Sequence, residues 1–186
     1  MSPWMRPPPN KPVATLAGHA ATVTFSGATT FTAVATVASG DAQGNVTYTL
    51  RGMYDLLGNQ QAMTVITGTL GAVFDSVAPS LTAVTGASNH AGRPTFAVVG
   101  DQVTLTLQAD ETIDATTLPV VTLAGRSATV QAGTSPTTVV TAILTLLGSD
   151  TTGSIGYTVG GSLCDLAGNC NGALSPASGS TGVTFA

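Results

Sequence analysis

The chain has 186 residues, a formal net charge of −4 and only 8% charged residues, against about 25% in ordinary soluble domains. Lys11 is its single lysine and Arg6, Arg51, Arg93 and Arg126 are its arginines, too few and too scattered to neutralise a phosphate backbone, so nucleic-acid binding is excluded. A hydrophobic content of 43% is enough for packed cores, and no apolar run reaches the roughly 18–20 residues that a bilayer-spanning helix needs.

The apolar residues are mostly Val, Leu, Ala and Ile in short runs with Thr, a strand-forming mixture, and 22 Gly with 10 Pro supply turns. No window carries a helical stripe. A surface so poor in charge is kept in solution by Ser/Thr hydroxyls and glycans, or is covered by neighbours in an assembly, or reflects the Ala, Gly and Thr bias of extracellular β-modules.

Residues 1–11 are Pro-rich and read as an extended tail or linker, with Trp4 inside it. They contain no apolar core of a signal peptide, so secretion would require a signal outside this sequence, and the chain would then be a fragment. Strand signals begin at Pro12-Val13-Ala14-Thr15-Leu16-Ala17-Gly18 and continue at Ala21-Thr22-Val23-Thr24-Phe25, a hairpin across Gly18-His19. Residues 31–37 alternate Phe31, Ala33, Ala35 and Val37 with Thr32, Val34 and Thr36, which predicts a strand with one wholly apolar face. A turn at Asp41 leads to a strand centred on Tyr48 and a second turn, Asp55-Leu56-Leu57-Gly58-Asn59. Two short strands are expected next, over 62–67 and 72–74, and Asp75-Ser76-Val77-Ala78-Pro79 reads as a unit boundary.

Beyond it, residues 80–85 predict a strand and residues 102–109 show the cleanest period of two in the chain. Val103, Leu105 and Leu107 fall on one face, and Gln102, Thr104, Thr106 and Gln108 on the other. Asp110-Glu111-Thr112-Ile113-Asp114 reads as an acidic loop. From there the chain repeats itself. Pro119-Val120-Val121-Thr122-Leu123-Ala124-Gly125 matches the run from Pro12, a shift of 107, and Asp165, Gly168 and Asn169 match Asp55, Gly58 and Asn59, a shift of 110. Between them, Asp150, Gly153, Ile155 and Tyr157 match Asp41, Gly44, Val46 and Tyr48.

The expected organisation is therefore a tail over 1–11, a partial domain over 12–75 and a complete domain over 76–186. The first copy has nothing like residues 81–109, so its opening strands are missing. A sandwich without them leaves apolar faces and strand edges exposed. Three explanations stay open: a fragment cut from a longer array, strands supplied by a neighbouring molecule, or a partial substitute from residues 1–11.

The order Asp-x-x-Gly-x-Val/Ile-x-Tyr and then Asp-x-x-Gly-Asn resembles the Ig-like repeats that occur in tandem in bacterial and other microbial surface proteins of the adhesin-repeat type. The Ala78-Pro79 opening and the strand from Asp101 followed by Asp110-Glu111 are similar to the same repeats. The resemblance covers 76–186 and most of 12–75. It implies an all-β fold of tandem Ig-like β-sandwiches, the first lacking its N-terminal strands, and it implies no particular function.

The residue chemistry of the repeated turns is local. Asp55 and Asp165 can accept from backbone N–H groups a few residues on, while Gly58, Gly168, Asn59 and Asn169 tolerate positive φ. Cys164 and Cys170 flank the second of these turns, and Tyr54 and Gln60 hold the equivalent places in the first. Five intervening residues suit a disulfide across a hairpin. A metal site would need more ligands close in sequence, and no CxxC motif is present. A disulfide in turn implies an oxidising compartment. Asn45-Val46-Thr47 is a glycosylation sequon, meaningful only in a glycosylating host. Asp75, Asp101, Asp110, Glu111 and Asp114 are the only calcium candidates, if they meet near the junction between units; otherwise they are solvated loop carboxylates.

His19 and His90 sit in turns, with Arg126 in the place of His19, and no triad, paired catalytic carboxylates or phosphate loop can be assembled. The expectation is no enzyme and no cofactor: a non-enzymatic extracellular structural or assembly module of a larger cell-surface or filament protein. Its partners would be neighbouring copies or domains, with glycans as possible decoration and no membrane insertion. The alternative is an adhesin or carbohydrate-binding module, which predicts exposed aromatics clustered at one tip; a third option is an accessory domain of a secreted enzyme.

Overall fold

The computed structural model describes residues 11–26, 30–53, 65–134 and 136–186. Those residues form strands and turns, with no helix among them. The chain divides into two compact units between Ser76 and Val77.

The second unit, Val77–Ala186, follows from alternation. Its strands are β7 (Leu81–Ser88), β8 (Phe96–Ala97), β9 (Gln102–Ile113), β10 (Val120–Leu123), β11 (Arg126–Ser127), β12 (Thr129–Ala132), β13 (Thr137–Thr145), β14 (Gly153–Gly160), β15 (Leu163–Cys164), β16 (Cys170–Asn171) and β17 (Ser178–Phe185). They follow six in the first unit, given below. One sheet runs β12-β13-β9-β7 and another β11-β10-β14-β17-β8, while β15 and β16 form a small hairpin. Every second residue of β9 points into the space between the two large sheets, so Val103, Leu105 and Leu107 are fully buried. They share one core with Val140, Ala142 and Leu144 of β13 and with Val121, Leu123, Ile155, Tyr157, Val183 and Phe185 of the opposite sheet. At about 25 cal/mol per Å² of apolar surface removed from water, such a core is what holds the unit together.

The segment 110–113 is strand, not loop: β9 continues to Ile113, which is fully buried and bridges Asp165. The strand is tied there because Asp110 receives both the N–H (2.8 Å) and the hydroxyl (2.5 Å) of Ser80.

The first unit comprises β1 (Val13–Leu16), β2 (His19–Ala20), β3 (Thr22–Phe25), β4 (Phe31–Val34), β5 (Gly44–Arg51) and β6 (Ile66–Phe74). One sheet runs β2-β1-β5-β6, and among the described residues β3 pairs only with β4, so the expected hairpin between the run from Pro12 and residues 21–25 does not form: β1 turns back into β2, and residues 22–25 belong to a separate two-stranded sheet. In place of two short strands, β6 is a single strand. Its pairing with β5 shifts register between Asn45 and Thr47, as the pairing of β14 with β17 shifts between Ser154 and Gly156.

The pairings superpose the units residue by residue. Thr15↔Thr49 and Leu16↔Tyr48 correspond to Thr122↔Thr158 and Leu123↔Tyr157, and the threonine hydroxyls are hydrogen-bonded in both (2.5 and 2.6 Å). Tyr48↔Gly68 corresponds to Tyr157↔Gly179. Val23↔Ala33 corresponds to Val130↔Ala142. The first unit thus repeats β10 to β14 and β17, and its described residues hold no counterpart of β7, β8 or β9.

Candidate functional site

The difference between the copies lies on one face. In the second unit β13 is flanked by β12 on one side and β9 on the other, and Val140, Ala142 and Leu144 are buried beneath the β9 side chains. In the first unit the equivalent positions are Phe31, Ala33 and Ala35. They keep the same inward phase, with Thr32, Val34 and Thr36 exposed between them, but they are only half-buried. Leu16, Tyr48 and Leu50 are half-buried where Leu123, Tyr157 and Val159 are buried. Leu70 is 40% exposed where Thr181 is buried. Of the first unit's described apolar side chains, Ala14, Val23 and Pro12 are the buried ones. What remains is an open apolar groove of about 260 Å³ lined by Leu16, Phe31, Ala33, Tyr48, Leu50 and Leu70. Below it, Phe25 meets Phe31 edge to face at 6.4 Å.

Both units carry a repeated polar turn. In the second unit Asp150 receives the Leu147 N–H (2.8 Å) and a fork from Arg126, Nε at 2.8 Å and Nη2 at 2.7 Å, while Arg126 also donates to the Thr145 carbonyl. In the first unit Asp41 receives the Ala38 N–H (2.7 Å), and His19 Nε2 stands 2.7 Å from both carboxylate oxygens. A third turn, within the second unit, repeats the device: Asp101 receives the Val98 N–H and the His90 Nδ1, each at 2.8 Å. An ionised carboxylate only accepts, so each histidine nitrogen carries a proton here. These contacts lower the carboxyl pKa values. For Asp41 the Ala38 N–H leads and His19 adds; for Asp101 the Val98 N–H leads, with His90 adding; for Asp150 the Arg126 fork leads and the Leu147 N–H adds. Both histidines therefore serve as turn clamps, and the exchange of Arg126 for His19 keeps the clamp with a different donor.

Within the second unit, the calcium candidates Asp101, Asp110, Glu111 and Asp114 are not gathered at one point. Asp101 precedes β9 while Asp110 and Glu111 lie near its far end, about 30 Å apart at the rise of an extended strand. Asp110 is engaged by Ser80, Asp114 by the Thr116 N–H (2.9 Å) and hydroxyl (2.8 Å), and both carboxyls are held below their ordinary range by those donors. Asp75 follows β6 at the end of the first unit. Within the second unit, Glu111 and Asp165 come close, with carboxylate oxygens within 4.8 Å. The sequence assigned Asp165 to a turn alone, and that role is also present. Buried to 3%, it accepts the Asn169 N–H at 2.9 Å and the Asn169 amide at 2.7 Å, and Gly168 takes φ +91°.

Cys164 and Cys170 are directly opposite each other in the β15–β16 hairpin and are disulfide-bonded, with Cα atoms 4.1 Å apart. A disulfide belongs to an oxidising, non-cytoplasmic compartment. No helix of the described residues is long and apolar enough to cross a membrane. Asn45 is exposed on β5 opposite Val73. Asp55, Gly58, Asn59, Trp4, Tyr54 and Gln60 lie outside the described residues. No buried side-chain nitrogen or oxygen among the described residues lacks a partner.

One repeated feature escaped the sequence reading. Thr67-Gly68-Thr69-Leu70-Gly71-Ala72-Val73-Phe74 and Ser178-Gly179-Ser180-Thr181-Gly182-Val183-Thr184-Phe185 are the same strand, legible from the shared Gly-x-x-Gly-x-x-Phe spacing. No known protein family, curated protein or solved structure matches the chain.

Proposed function

We propose that the chain is a non-enzymatic, extracellular structural module built from tandem Ig-like sandwiches, part of a larger cell-surface or filament assembly, and that its first unit associates through its open face. One observation carries this reading: the positions that are buried in the second unit stand half-exposed on a continuous apolar face in the first. Contiguous apolar surface of that kind marks interaction sites. The polar groups support a structural role, because His19, His90 and Arg126 are each bonded to a turn aspartate. The disulfide supports the extracellular part. For the adhesin reading, the exposed aromatics Phe25 and Phe96 fall in different units, and the exposed large hydrophobic side chains at the 98–101 and 147–150 turns are the aliphatic Val98, Val99 and Leu147.

Sedimentation velocity over a concentration series tests association. The wild-type chain is expected to form concentration-dependent oligomers, and Ala33→Asp to remain monomeric with the second unit's unfolding transition unchanged. A wild-type chain that stays monomeric throughout sinks the assembly role.

A further inference from the structure

This inference rests on the reading above and names what covers the open face. We propose that the groove beside β4 is the seat of one added β-strand: extended, uncharged, with an aliphatic residue at every second position, and antiparallel to β4. The second unit provides the template. There β9 lies antiparallel to β13, with Val103 opposite Leu144, Leu105 opposite Ala142 and Leu107 opposite Val140. Carried across the repeat, the incoming strand places its three inward residues opposite Ala35, Ala33 and Phe31 in turn.

The second edge of β4 supplies the ladder. Among the described residues β4 pairs with β3 alone, where β13 pairs on both sides. Backbone hydrogen bonds to that edge give affinity and alternate side chains give selectivity. Charge agrees on both sides: residues 31–37 carry none, and neither do residues 102–109. A charged inward residue would have to be desolvated without a partner.

Side-chain size makes the seat selective in a way the second unit is not. Ala35 is smaller than Leu144, and Phe31 is larger than Val140. Core volume must be conserved across facing positions. The matching strand is therefore large, Leu, small from its N-terminal end, the reverse of the gradient from Val103 to Leu107. A second strand following the path of β7 has less room. A Cβ at Gly86 of β7 would collide with the Thr181 carbonyl oxygen, so the approach is already close, and Leu70 occupies the equivalent place on β6.

The test uses the full chain and capped peptides of residues 102–109, read by hydrogen exchange at the amides of 31–37. The wild-type peptide is expected to slow exchange there saturably, by about tenfold or more. A peptide carrying Val103→Leu and Leu107→Val should bind more tightly, and one carrying Leu105→Asp should have no effect. Peptide variants leave the protein's folding untouched, so a negative result cannot come from an unfolded acceptor. The proposal is overturned if no peptide protects 31–37, or if the Leu105→Asp peptide protects equally. Sedimentation of the same samples separates the two ideas. A chain that takes the peptide without self-associating removes the assembly reading and keeps the strand seat; one that self-associates but ignores every peptide does the reverse.

Discussion

The ring of Tyr157 lies against Gly179: a Cβ built at Gly179 would stand 2.9 Å from the phenol oxygen and 3.1 Å from Cε1. The first unit repeats the contact between Tyr48 and Gly68, where the built Cβ meets Cε1 at 2.8 Å. A cross-strand glycine lets an aromatic ring lie over the sheet, and this pair fixes the register of β14 against β17. Gly179→Ala is expected to lower the stability of the second unit by about 1–3 kcal/mol, the scale of overpacking. Urea denaturation would measure it, and an unchanged midpoint would show that the ring moves aside without cost.

Ala17 and Ala124 are the two non-glycine residues with positive φ among the described residues, at 48° and 50°, and each precedes a glycine that is also positive. Both are first central residues of the tight hairpin turn that pairs Leu16 with His19 and Leu123 with Arg126. Alanine is disfavoured there and asparagine is tolerated. Ala124→Asn is expected to stabilise the second unit by about 0.5–1 kcal/mol, seen as a higher melting temperature. A lower one would contradict the assigned turn.

Asp165 has a different weight from the other acids. It is buried, it holds the Asn169 backbone and side chain, and it sits within the hairpin closed by the disulfide. Asp165→Ala leaves the partly buried Asn169 N–H without its acceptor, and a loss of about 1–2 kcal/mol is expected. The check is the denaturation midpoint with the disulfide intact, so that the turn is tested apart from the cross-link.

The pH dependence follows from Asp150, whose carboxyl is held low first by Arg126 and then by the Leu147 N–H. A depressed folded pKa contributes stability that is complete above the ordinary carboxylate value and is lost as pH falls through the folded value. The second unit should therefore keep a constant midpoint from neutral pH down to about pH 4 and lose stability below it. Asp101, Asp110 and Asp114 act in the same direction. Asp150→Asn should show a lower neutral plateau and a shallower acid limb. Equal slopes for the two proteins would refute the assignment.

The parts of the fold that the sequence disclosed were those written in local chemistry. The alternation of Val103, Leu105 and Leu107 announces a half-buried strand, and the cysteines around Asp165 announce a hairpin staple. The two copies of Pro-Val-x-Thr-Leu-Ala-Gly announce the repeat. What stayed hidden depends on contacts between distant segments. β6 reads as two short strands and β17 as none, because glycines interrupt both, and those glycines make sense only once Tyr48 and Tyr157 lie opposite. Asp41 and Asp150 match as repeats, but the side chains that clamp them lie 22 and 24 residues away on another strand. The open face was visible as a missing segment, yet its seat for a strand needed the register of β9 against β13.

The unequal interiors also have a mechanical meaning. The second unit carries a continuous core and a cross-linked hairpin, whereas the first keeps little more than Pro12, Ala14 and Val23 out of water. Under tension along the chain, the first unit should yield at low load while the second holds. Seating a strand beside β4 would raise that yield point, making the grip of one molecule on another a setting of how far the chain can be stretched before it gives.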